Sequence, residues 1–210
     1  MHPDAAFAMS GEACRAIVGR HGFAHIFVHG AGGAAVIHAP VLMTGDDRLT
    51  FHVARRNRAF ALLADARAIA SVAAVDGYVS PDWYASPDQV PTWNYVAVEA
   101  EGPVAPLDRD ALVAQVDALS AAHEARLAPK PAWSRNKMDQ RRFEAMVDAI
   151  AGFEIRVEAW RGTAKLSQNK RAADIAGVIA ALATIYRPLA DAIAGTRDAA
   201  DQTAVATPIA

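Results

Sequence analysis

The amino-acid sequence predicts a mainly β protein with added helices, an α+β domain built on a small closed or nearly closed barrel of six antiparallel strands. Three observations support this prediction. Short apolar runs that alternate with polar residues recur along the chain. Glycine-containing turns separate the first three runs, as in an antiparallel meander. Stretches with apolar residues at helical spacing stand between and after the strands and indicate inserted helices.

The amino-terminal quarter predicts one helix and three strands. Ser10 is suited to cap a helix that ends near Gly22. The strands are A-H-I-F-V-H, A-A-V-I-H-A-P-V-L-M and R-L-T-F-H-V. Because Pro40 has no N–H to donate, the second strand should be irregular or lie at an edge there. Alternation gives the third strand one apolar face, which consists of Leu49, Phe51 and Val53.

The remaining elements are predicted from the same two periodicities. Residues 54–66 (A-R-R-N-R-A-F-A-L-L-A-D-A) suggest a helix, and A-I-A-S-V-A-A-V and W-N-Y-V-A-V-E-A-E-G suggest strands four and five. A helical insertion over about 108–151 should stop at Gly152, before a sixth strand F-E-I-R-V-E-A-W. A last helix covers about 171–194. We therefore expect one domain over 1–195 and, because 196–210 has no periodicity, a mobile tail.

Composition limits the function classes. The chain is 53% hydrophobic and 21% charged, as expected for a soluble domain with a real core. A net charge of −2 supplies no global basic field for nucleic acid. The single cysteine, Cys14, cannot form an internal disulfide and is expected to be a buried thiol. The amino terminus lacks a signal-peptide pattern, and no apolar run is long enough to cross a bilayer, so we expect a cytoplasmic protein.

The histidines at the start of the chain do not predict a metal site. His21, His25 and His29 are four residues apart, which on a helix would put three ligands on one face. The apolar, glycine-bracketed surroundings favour a strand instead, where His25 and His29 would lie about 13 Å apart at ~3.3 Å per residue. We therefore predict no metal. The chain also has no nucleophile elbow, zinc-protease, Walker or G-x-G-x-x-G motif.

A basic turn after the third strand is the first candidate binding element. The segment F-H-V-A-R-R-N-R holds His52, Arg55, Arg56, Asn57 and Arg58 within seven residues. A helix amino terminus there would favour a phosphate, and arginine offers a planar fork to phosphate oxygens. A solvated basic turn is the equally weighted alternative.

An aromatic segment is the second candidate. Residues 77–102 contain two of four tryptophans and three of four tyrosines, together with three prolines. Trp83, Tyr84 and Trp93 can wall in a planar ring, while Gln89 and Asn94 offer donors and acceptors to a heterocycle edge. Closing the barrel mouth or filling a dimer seam is at least as good an interpretation.

The third candidate is K-L-S-Q-N-K-R at 165–171. Ser167, Gln168 and Asn169 could cap the last helix or hold the polar edge of a ligand, with capping as the default. Lysines and an arginine make the surroundings basic.

Taken together, these segments resemble the PaiB-type family, the FMN-binding negative transcriptional regulators, which are flavin-binding split barrels related to pyridoxamine phosphate oxidases. The matching segments, in order, are H-A-P-V-L-M, F-H-V-A-R-R-N, G-Y-V-S-P-D-W-Y, V-P-T-W-N-Y-V-A-V, A-I-A-G-F-E-I-R-V-E and K-L-S-Q-N-K. They extend over about residues 1–187. Two departures are Arg58, where the family has proline, and Ala164, where it has an aromatic residue.

The resemblance implies a homodimer of six-stranded split barrels with FMN at the subunit interface. One subunit's stiff aromatic segment would then cover a ring bound to the other. His52, Arg55 and Asn57 would lie at the phosphate and ribityl end, and the residues around His38 would border the flavin. The implied cofactor-binding set is His38, Ala39, Pro40, His52, Val53, Arg55, Asn57, Trp83, Tyr84, Trp93, Asn94, Ser167, Gln168 and Asn169.

Three functions follow from these observations. The first is a flavin-dependent redox or sensing protein, in which FMN does the electron chemistry. The second is a transcriptional repressor that acts on DNA directly or through a partner, and the net charge of −2 and the absence of a helix-turn-helix pattern disfavour direct binding. The third is a haem-binding split barrel, for which seven histidines are available.

Overall fold

A computed structural model describes residues 2–30 and 32–205. Its contacts divide the chain into two compact units, which we describe separately. The larger unit contains residues 14–30, 32–72 and 99–160, and the smaller unit contains residues 2–13, 73–98 and 161–205.

Seven strands form the sheet of the described chain, one more than predicted. They are β1 (Phe23–Gly30), β2 (Gly33–Gly45), β3 (Arg48–Ala54), β4 (Arg67–Val79), β5 (Thr92–Pro106), β6 (Ile150–Arg156) and β7 (Ala159–Lys165). Their order is β4-β1-β2-β3-β6-β5-β7, and β4 also pairs with β5. Six strands therefore form a closed ring of hydrogen-bonded neighbours, and β7 pairs with β5 outside that ring. The α+β class predicted from the sequence is confirmed.

Strand β2 changes partner at Pro40. Residues 33–40 pair antiparallel with β1, from Gly30↔Gly33 to Phe23↔Pro40, and the pairing with β3 begins at Val41↔Phe51. The residue that cannot donate to a ladder lies where one ladder gives way to the next, which agrees with the irregularity predicted there.

Five α-helices accompany the sheet in the described chain: α1 (Gly11–His21), α2 (Arg109–Ala125), α3 (Gln140–Asp148), α4 (Ala172–Ile185) and α5 (Arg187–Val205). Side-chain caps account for two of the starts, and the cap at Ser10 was predicted. The Ser10 hydroxyl accepts a hydrogen bond from Ala13 N at 3.2 Å, and the Asp108 carboxylate accepts one from Ala111 N at 2.8 Å. None of these helices combines the length and apolar character needed to span a bilayer.

The helix predicted over residues 54–66 is wrong. The chain forms turns there, with only a short 3₁₀ turn at Phe60–Leu62. The Asn57 side chain explains the difference, because its Oδ1 accepts a hydrogen bond from Ala59 N at 2.9 Å. Such a local side-chain bond offers the backbone an alternative to helical pairing.

The predicted sixth strand is also wrong in extent, since residues 153–160 belong to two strands. Between β6 and β7, Val157 N donates to Asp47 O at 2.8 Å and Glu158 N donates to Glu101 O at 2.9 Å. Gly152 lies inside β6, opposite His52, and does not stop a helix. A Cβ at Gly152 would lie 3.0 Å from the Leu107 side chain, so the glycine makes room for packing.

Strands β3 and β6 contribute apolar side chains to the core of the larger unit. Leu49, Phe51 and Val53 are buried, as the alternation predicted. Phe51 stacks on Phe153 of β6, with ring centroids 5.7 Å apart. The thiol of Cys14 is buried as predicted, and burial raises its pKa, although the nearby Arg15 acts in the opposite direction.

The smaller unit contains the carboxy-terminal helices. Helices α4 and α5 pack against each other, with Val178, Leu182, Leu189 and Ile193 buried. The tail predicted from residue 196 is helical as far as Val205, and 206–210 lie outside the described residues. The domain boundary at residue 195 stays a prediction.

Candidate functional site

The fourteen residues predicted to bind the cofactor fall into two groups. Seven of them, at positions 38–57, lie in the larger unit, and the other seven, at positions 83–169, lie in the smaller unit.

In the larger unit, His38 lies on the exposed face of β2 and Ala39 is buried. Ala39 therefore offers a ligand only its backbone, and the same holds for the buried Val53. His38 pairs across the strands with His25, with their Nδ1 atoms 2.6 Å apart. One ring must donate and the other accept, so this pair shares a single proton between the two Nδ1 atoms. His25 lies on a strand, as predicted.

His52 contacts a residue that the sequence did not single out. Its Nδ1 lies 3.2 Å from Gln115 Oε1 on α2. Because the carboxamide oxygen only accepts, His52 Nδ1 is the donor, which leaves Nε2 as an acceptor in the neutral ring. Gln115 Nε2 is buried without a hydrogen-bond partner in the described chain. An unpaired buried donor costs about 1–3 kcal/mol, so this amide is suited to an acceptor brought by a ligand.

The basic turn holds Arg55 in a defined position. Arg55 N donates to Ala149 O at 2.9 Å, and Arg55 Nε donates to Asp148 O at 3.0 Å. The guanidinium also lies 5.9 Å from the centroid of the Phe60 ring. No hydrogen-bond partner in the described chain occupies its two terminal nitrogens. The guanidinium is thus anchored at one end and available at the other.

The basic turn differs in one respect from the phosphate site that the sequence suggested. No α-helix begins after β3, so the helix amino terminus that the sequence suggested does not exist. The Asn57 side chain instead closes the turn through Ala59 N and does not project freely. The turn still offers positive charge to a phosphate, because Arg56 and Arg58 are exposed and have no ion pair within the described chain.

Two cavities of the larger unit border this turn. The first has a volume of about 350 Å³ and is lined mainly by apolar side chains, including Phe60, Leu112 and Phe153, with Arg55 at its wall. The second has a volume of about 420 Å³ and is lined by Phe27, Val36 and Ile69 with Arg58 and Arg67. The turn therefore gives one arginine to each cavity. The sequence analysis predicted neither cavity. The large apolar residues on the exposed face of β1 were a signal for the second cavity, which Phe27 lines.

In the smaller unit, the aromatic segment is held by α4. Trp83 ends a 3₁₀ turn, Pro81–Trp83, in which Asp82 N donates a hydrogen bond to Ser80 Oγ at 3.3 Å. A Cβ at Gly177 of α4 would lie 2.1 Å from Trp83 O, so helix and turn approach closely only because this residue is glycine. Tyr84 is 8% exposed, whereas Trp93 is 54% exposed. The segment therefore contains both a buried aromatic ring, Tyr84, and exposed ones, Tyr78 and Trp93.

Four of the predicted residues line one cavity of about 260 Å³, which we call the lysine cavity. They are Tyr84, Asn94, Ser167 and Asn169, and the wall also includes Thr92, Lys165 and Lys170. Asn94 Nδ2 donates to Ser167 Oγ at 2.7 Å, and both residues are buried. Ser167 has a φ of 64°, in the left-handed region that a serine rarely adopts.

Trp83, Trp93 and Gln168 do not line the lysine cavity. Gln168 folds onto its own turn, where its carboxamide bonds Leu166 N and Ala164 O. The predicted capping role for Ser167–Asn169 is wrong, since the N-cap of α4 is Arg171 and no side chain caps it.

Tyr84 and the two lysines determine the electrostatics of the lysine cavity. Lys165 Nζ donates to Thr92 Oγ1 and Lys170 Nζ to Gln89 Oε1, each at 2.7 Å. Lys170 Nζ also lies 4.9 Å from the centroid of the Tyr84 ring. The Tyr84 hydroxyl is buried without a hydrogen-bond partner in the described chain.

Burial raises the pKa of the Tyr84 hydroxyl, so the phenol stays protonated at neutral pH. The Ser167 hydroxyl is near enough to lower this pKa in part. Its geometry completes no hydrogen bond with Tyr84 Oη, and its oxygen already accepts from Asn94. The Tyr84 hydroxyl is therefore a hydrogen-bond donor without an acceptor in the described chain.

Comparison with known proteins identifies the family. Residues 1–159 match the family model described as "Putative FMN-binding domain". The chain belongs to this FMN-binding family. A curated relative in the PaiB group, the protease synthase and sporulation protein PAI 2 of Bacillus subtilis (strain 168), is 32% identical over 107 residues, which are 51% of each chain. The chain thus spans about half the length of that relative, and the PaiB-type resemblance is confirmed.

Solved structures related to this FMN-binding family member agree on the fold. The FAD and heme binding protein from Mycobacterium smegmatis has a TM-score of 0.56 at 20% identity, covering 80% of this chain and 77% of that one. The flavocytochrome Anf3 from Azotobacter vinelandii has a TM-score of 0.58 at 17% identity, covering 84% and 78%. At these identities the likeness shows the fold alone, which is the flavin-binding split barrel.

The residues present in the FMN-binding family member fit its cofactor. The larger unit offers an anchored arginine fork with an apolar cavity beside it and, on α2, an unpaired amide donor at Gln115. These are the groups that a phosphate, a hydroxylated chain and a flat ring need. Across residues 2–30 and 32–205, no three His, Cys, Asp or Glu side chains come together as a metal site requires.

Proposed function

We propose that this chain binds FMN through the basic turn of the larger unit and works as a homodimer in flavin-dependent redox chemistry or sensing. Membership of the FMN-binding family supports the cofactor. Bound FMN would supply the electron-transfer chemistry. The chain's own residues would hold the phosphate, orient the ring and exclude water from it.

The geometry of Arg55 is the observation that carries this proposal. Its Nε bond to Asp148 O and its contact with Phe60 fix the guanidinium before a ligand arrives. The terminal nitrogens are left in the planar fork that matches phosphate oxygens. A side chain ordered in advance loses little entropy on binding, so Arg55 can contribute most of its hydrogen-bond energy to affinity.

The other predicted cofactor contacts take secondary roles. His52 and Gln115 offer a ring nitrogen and an amide N–H suited to ribityl hydroxyls. His38, Ala39 and Pro40 would contact the flavin from β2, Ala39 through its backbone. Asn57 would act by closing the turn that carries Arg55. In the smaller unit, the exposed indole of Trp93 suits a ring surface or a dimer seam.

A second copy of the chain is the proposed cover for the exposed face of β1 and β2. Phe23 is 49% exposed, Phe27 47% and Val36 37%, and these side chains share the face that carries the His25–His38 pair. An apolar face of this kind is typical of a protein–protein seam. This face is therefore the proposed position of the partner in the homodimer that the sequence resemblance implies.

The test of the phosphate contact compares FMN with riboflavin, which lacks the phosphate. In the Arg55→Met variant, FMN affinity should fall by about 10- to 100-fold, the loss expected for a charged hydrogen-bonding pair, while riboflavin affinity stays unchanged. Fluorescence quenching of each flavin measures both affinities. Arg141→Met, which removes an exposed charge from α3, is the matched control. Equal losses for the two flavins, or none, would overturn this placement of the phosphate.

The test of the dimer is the mass of the protein in solution. Wild type should have the mass of two chains by light scattering, and Phe27→Asp should have the mass of one, because a carboxylate on the seam would be buried without a partner. A monomeric wild type would refute the seam. Unchanged dimerisation in the Phe27→Asp variant would move the seam to another face.

We propose that any effect on transcription is indirect. The net charge of −2 gives little electrostatic attraction for DNA. A gel shift that is selective for sequence and weakened by salt would contradict this and establish direct binding.

A further inference from the structure

The lysine cavity of the smaller unit is rich in donors and poor in acceptors. Its two lysines are hydrogen-bonded to neutral oxygens, and neither has an acidic partner among the described residues. Asp4 is the acidic side chain in the wall, and one of its oxygens already accepts from Ala6 N. The cavity therefore carries an excess of positive charge.

The hydroxyl groups of the wall have free protons. Ser167 Oγ accepts from Asn94, and Thr92 Oγ1 accepts from Lys165, so each hydroxyl still has its own proton to give. Tyr84, 8% exposed, adds a buried hydroxyl with no partner in the described chain. Three hydroxyl donors and two ammonium groups thus border a space of about 260 Å³.

This chemistry selects an oxyanion. A group with several acceptor oxygens and negative charge accepts from hydroxyls and pairs with lysines at once. Apolar side chains, including Phe7 and Val90, also line the cavity and can contact the carbon atoms of an organic anion. The volume is below the roughly 300 Å³ at which pockets for drug-sized ligands begin. The occupant is therefore small.

We propose that the lysine cavity binds a small organic anion through a phosphate or carboxylate group, with Lys165, Lys170 and the Tyr84 hydroxyl as its main contacts. This goes beyond the proposed FMN contacts at the basic turn. It also gives Tyr84 and Ser167, which the sequence resemblance assigned to the cofactor, a ligand of their own. A phosphate group has two possible sources, a free small phosphate and FMN itself.

The experiment is a calorimetric titration of FMN-free protein with inorganic phosphate and, separately, with acetate, at constant ionic strength maintained with chloride. Wild type should show saturable binding of at least one of the two probes. Lys165→Met and Lys170→Met should each weaken that binding by 10-fold or more. Lys137→Met, which removes a lysine charge from the larger unit, is the matched control and should leave it unchanged.

Tyr84→Phe separates a ligand contact from a structural role. The Tyr84 hydroxyl makes no hydrogen bond within the described chain, so its removal should raise the melting temperature of the ligand-free protein by about 2–4 °C. The same change should weaken probe binding about 3- to 10-fold, since the anion loses a donor. A lower melting temperature together with unchanged binding would overturn the role of this hydroxyl.

The outcomes for the cavity are distinct from those for FMN. Absence of saturable binding by both probes, or equal binding in the lysine variants and wild type, refutes the anion site and leaves the Arg55 experiment unaffected. Displacement of phosphate by FMN but not by riboflavin supports the anion site and identifies FMN as its source, and it would contradict the placement of the FMN phosphate at Arg55. Displacement by neither flavin supports a separate small anion.

Discussion

Gly177 offers the sharpest test of how the aromatic segment is positioned. A Cβ at this residue would lie 2.1 Å from Trp83 O and 3.4 Å from Trp83 C. The obstacle is backbone, so it cannot rotate away as a side chain can. Nonbonded heavy atoms rest at about 3.5 Å, so Gly177→Ala must separate α4 from the turn by roughly 1.4 Å.

Two opposing terms set the size of the effect. Alanine is more favourable than glycine inside a helix by about 1 kcal/mol. Overpacking costs about 1–3 kcal/mol, and a clash with backbone belongs at the upper end of that range. We therefore expect Gly177→Ala to lower the free energy of unfolding by about 2 kcal/mol, and the melting temperature by about 4–8 °C for a chain of this size.

Gly19 provides the matched comparison. It also lies inside a helix, α1, but a Cβ there would meet no heavy atom within 4 Å. Gly19→Ala should therefore raise the free energy of unfolding by up to about 1 kcal/mol. Urea denaturation followed by circular dichroism measures both variants. If Gly177→Ala is as stable as Gly19→Ala, α4 does not rest on the Trp83 backbone and the argument fails.

Three further predictions concern single sites. The buried Asp174 carboxylate accepts hydrogen bonds from Ser86 N and Oγ, which lower its pKa. The ionised carboxylate therefore stabilises the folded protein above the ordinary pKa of about 4, and this stabilisation is lost as the pH falls through the lower pKa of the folded state. Asp174→Asn should remove this loss of stability at acid pH, which thermal melts across the pH range measure. Cys14 should react with a thiol reagent such as Ellman's only on unfolding, and rapid labelling of the native protein would contradict its burial. Gly102→Ala should give little folded protein, because its Cβ would lie 1.8 Å from Arg156 O, and a normal yield with a wild-type melt would count against that contact.

The strands could be predicted because their signal is local. Alternation in β1 and β3 reflects one buried and one exposed face, and Ser10 and Asp108 mark helix starts through bonds to nearby N–H groups. The predictions that were wrong concern places where contacts between residues distant in sequence determine the secondary structure. Val157 N pairs with Asp47 O, more than 100 residues away, and this contact divides one apparent strand into two.

The candidate site was predictable in its residue types but not in its grouping. The ordered motifs suggested one ligand for fourteen residues, since motif order carries no distances. Gln115 was missed because its role depends on contact with His52, which is 63 residues away in the sequence. The orphaned Tyr84 hydroxyl was likewise invisible, because a missing partner is a property of the packed chain. The helix predicted at the basic turn was wrong because the Asn57 side chain accepts a hydrogen bond from Ala59 N, an N–H that would otherwise be available for helical pairing.

The choice of cation in each unit connects these observations to function. The larger unit presents arginine, whose fork is fixed by Asp148 O and fits a phosphate bidentately. The smaller unit presents Lys165 and Lys170, compact charges that share their protons with neutral oxygens and can turn towards ligands of different shape. A cofactor that stays bound benefits from a rigid, geometrically selective contact, whereas a small ligand that exchanges benefits from an adaptable one.

Replacing each cation by the other type tests this difference. Arg55→Lys should lose most FMN affinity although it keeps the charge, whereas Lys170→Arg should keep anion binding within a few-fold. If Arg55→Lys binds FMN as wild type does, the fork contributes nothing and charge alone holds the phosphate.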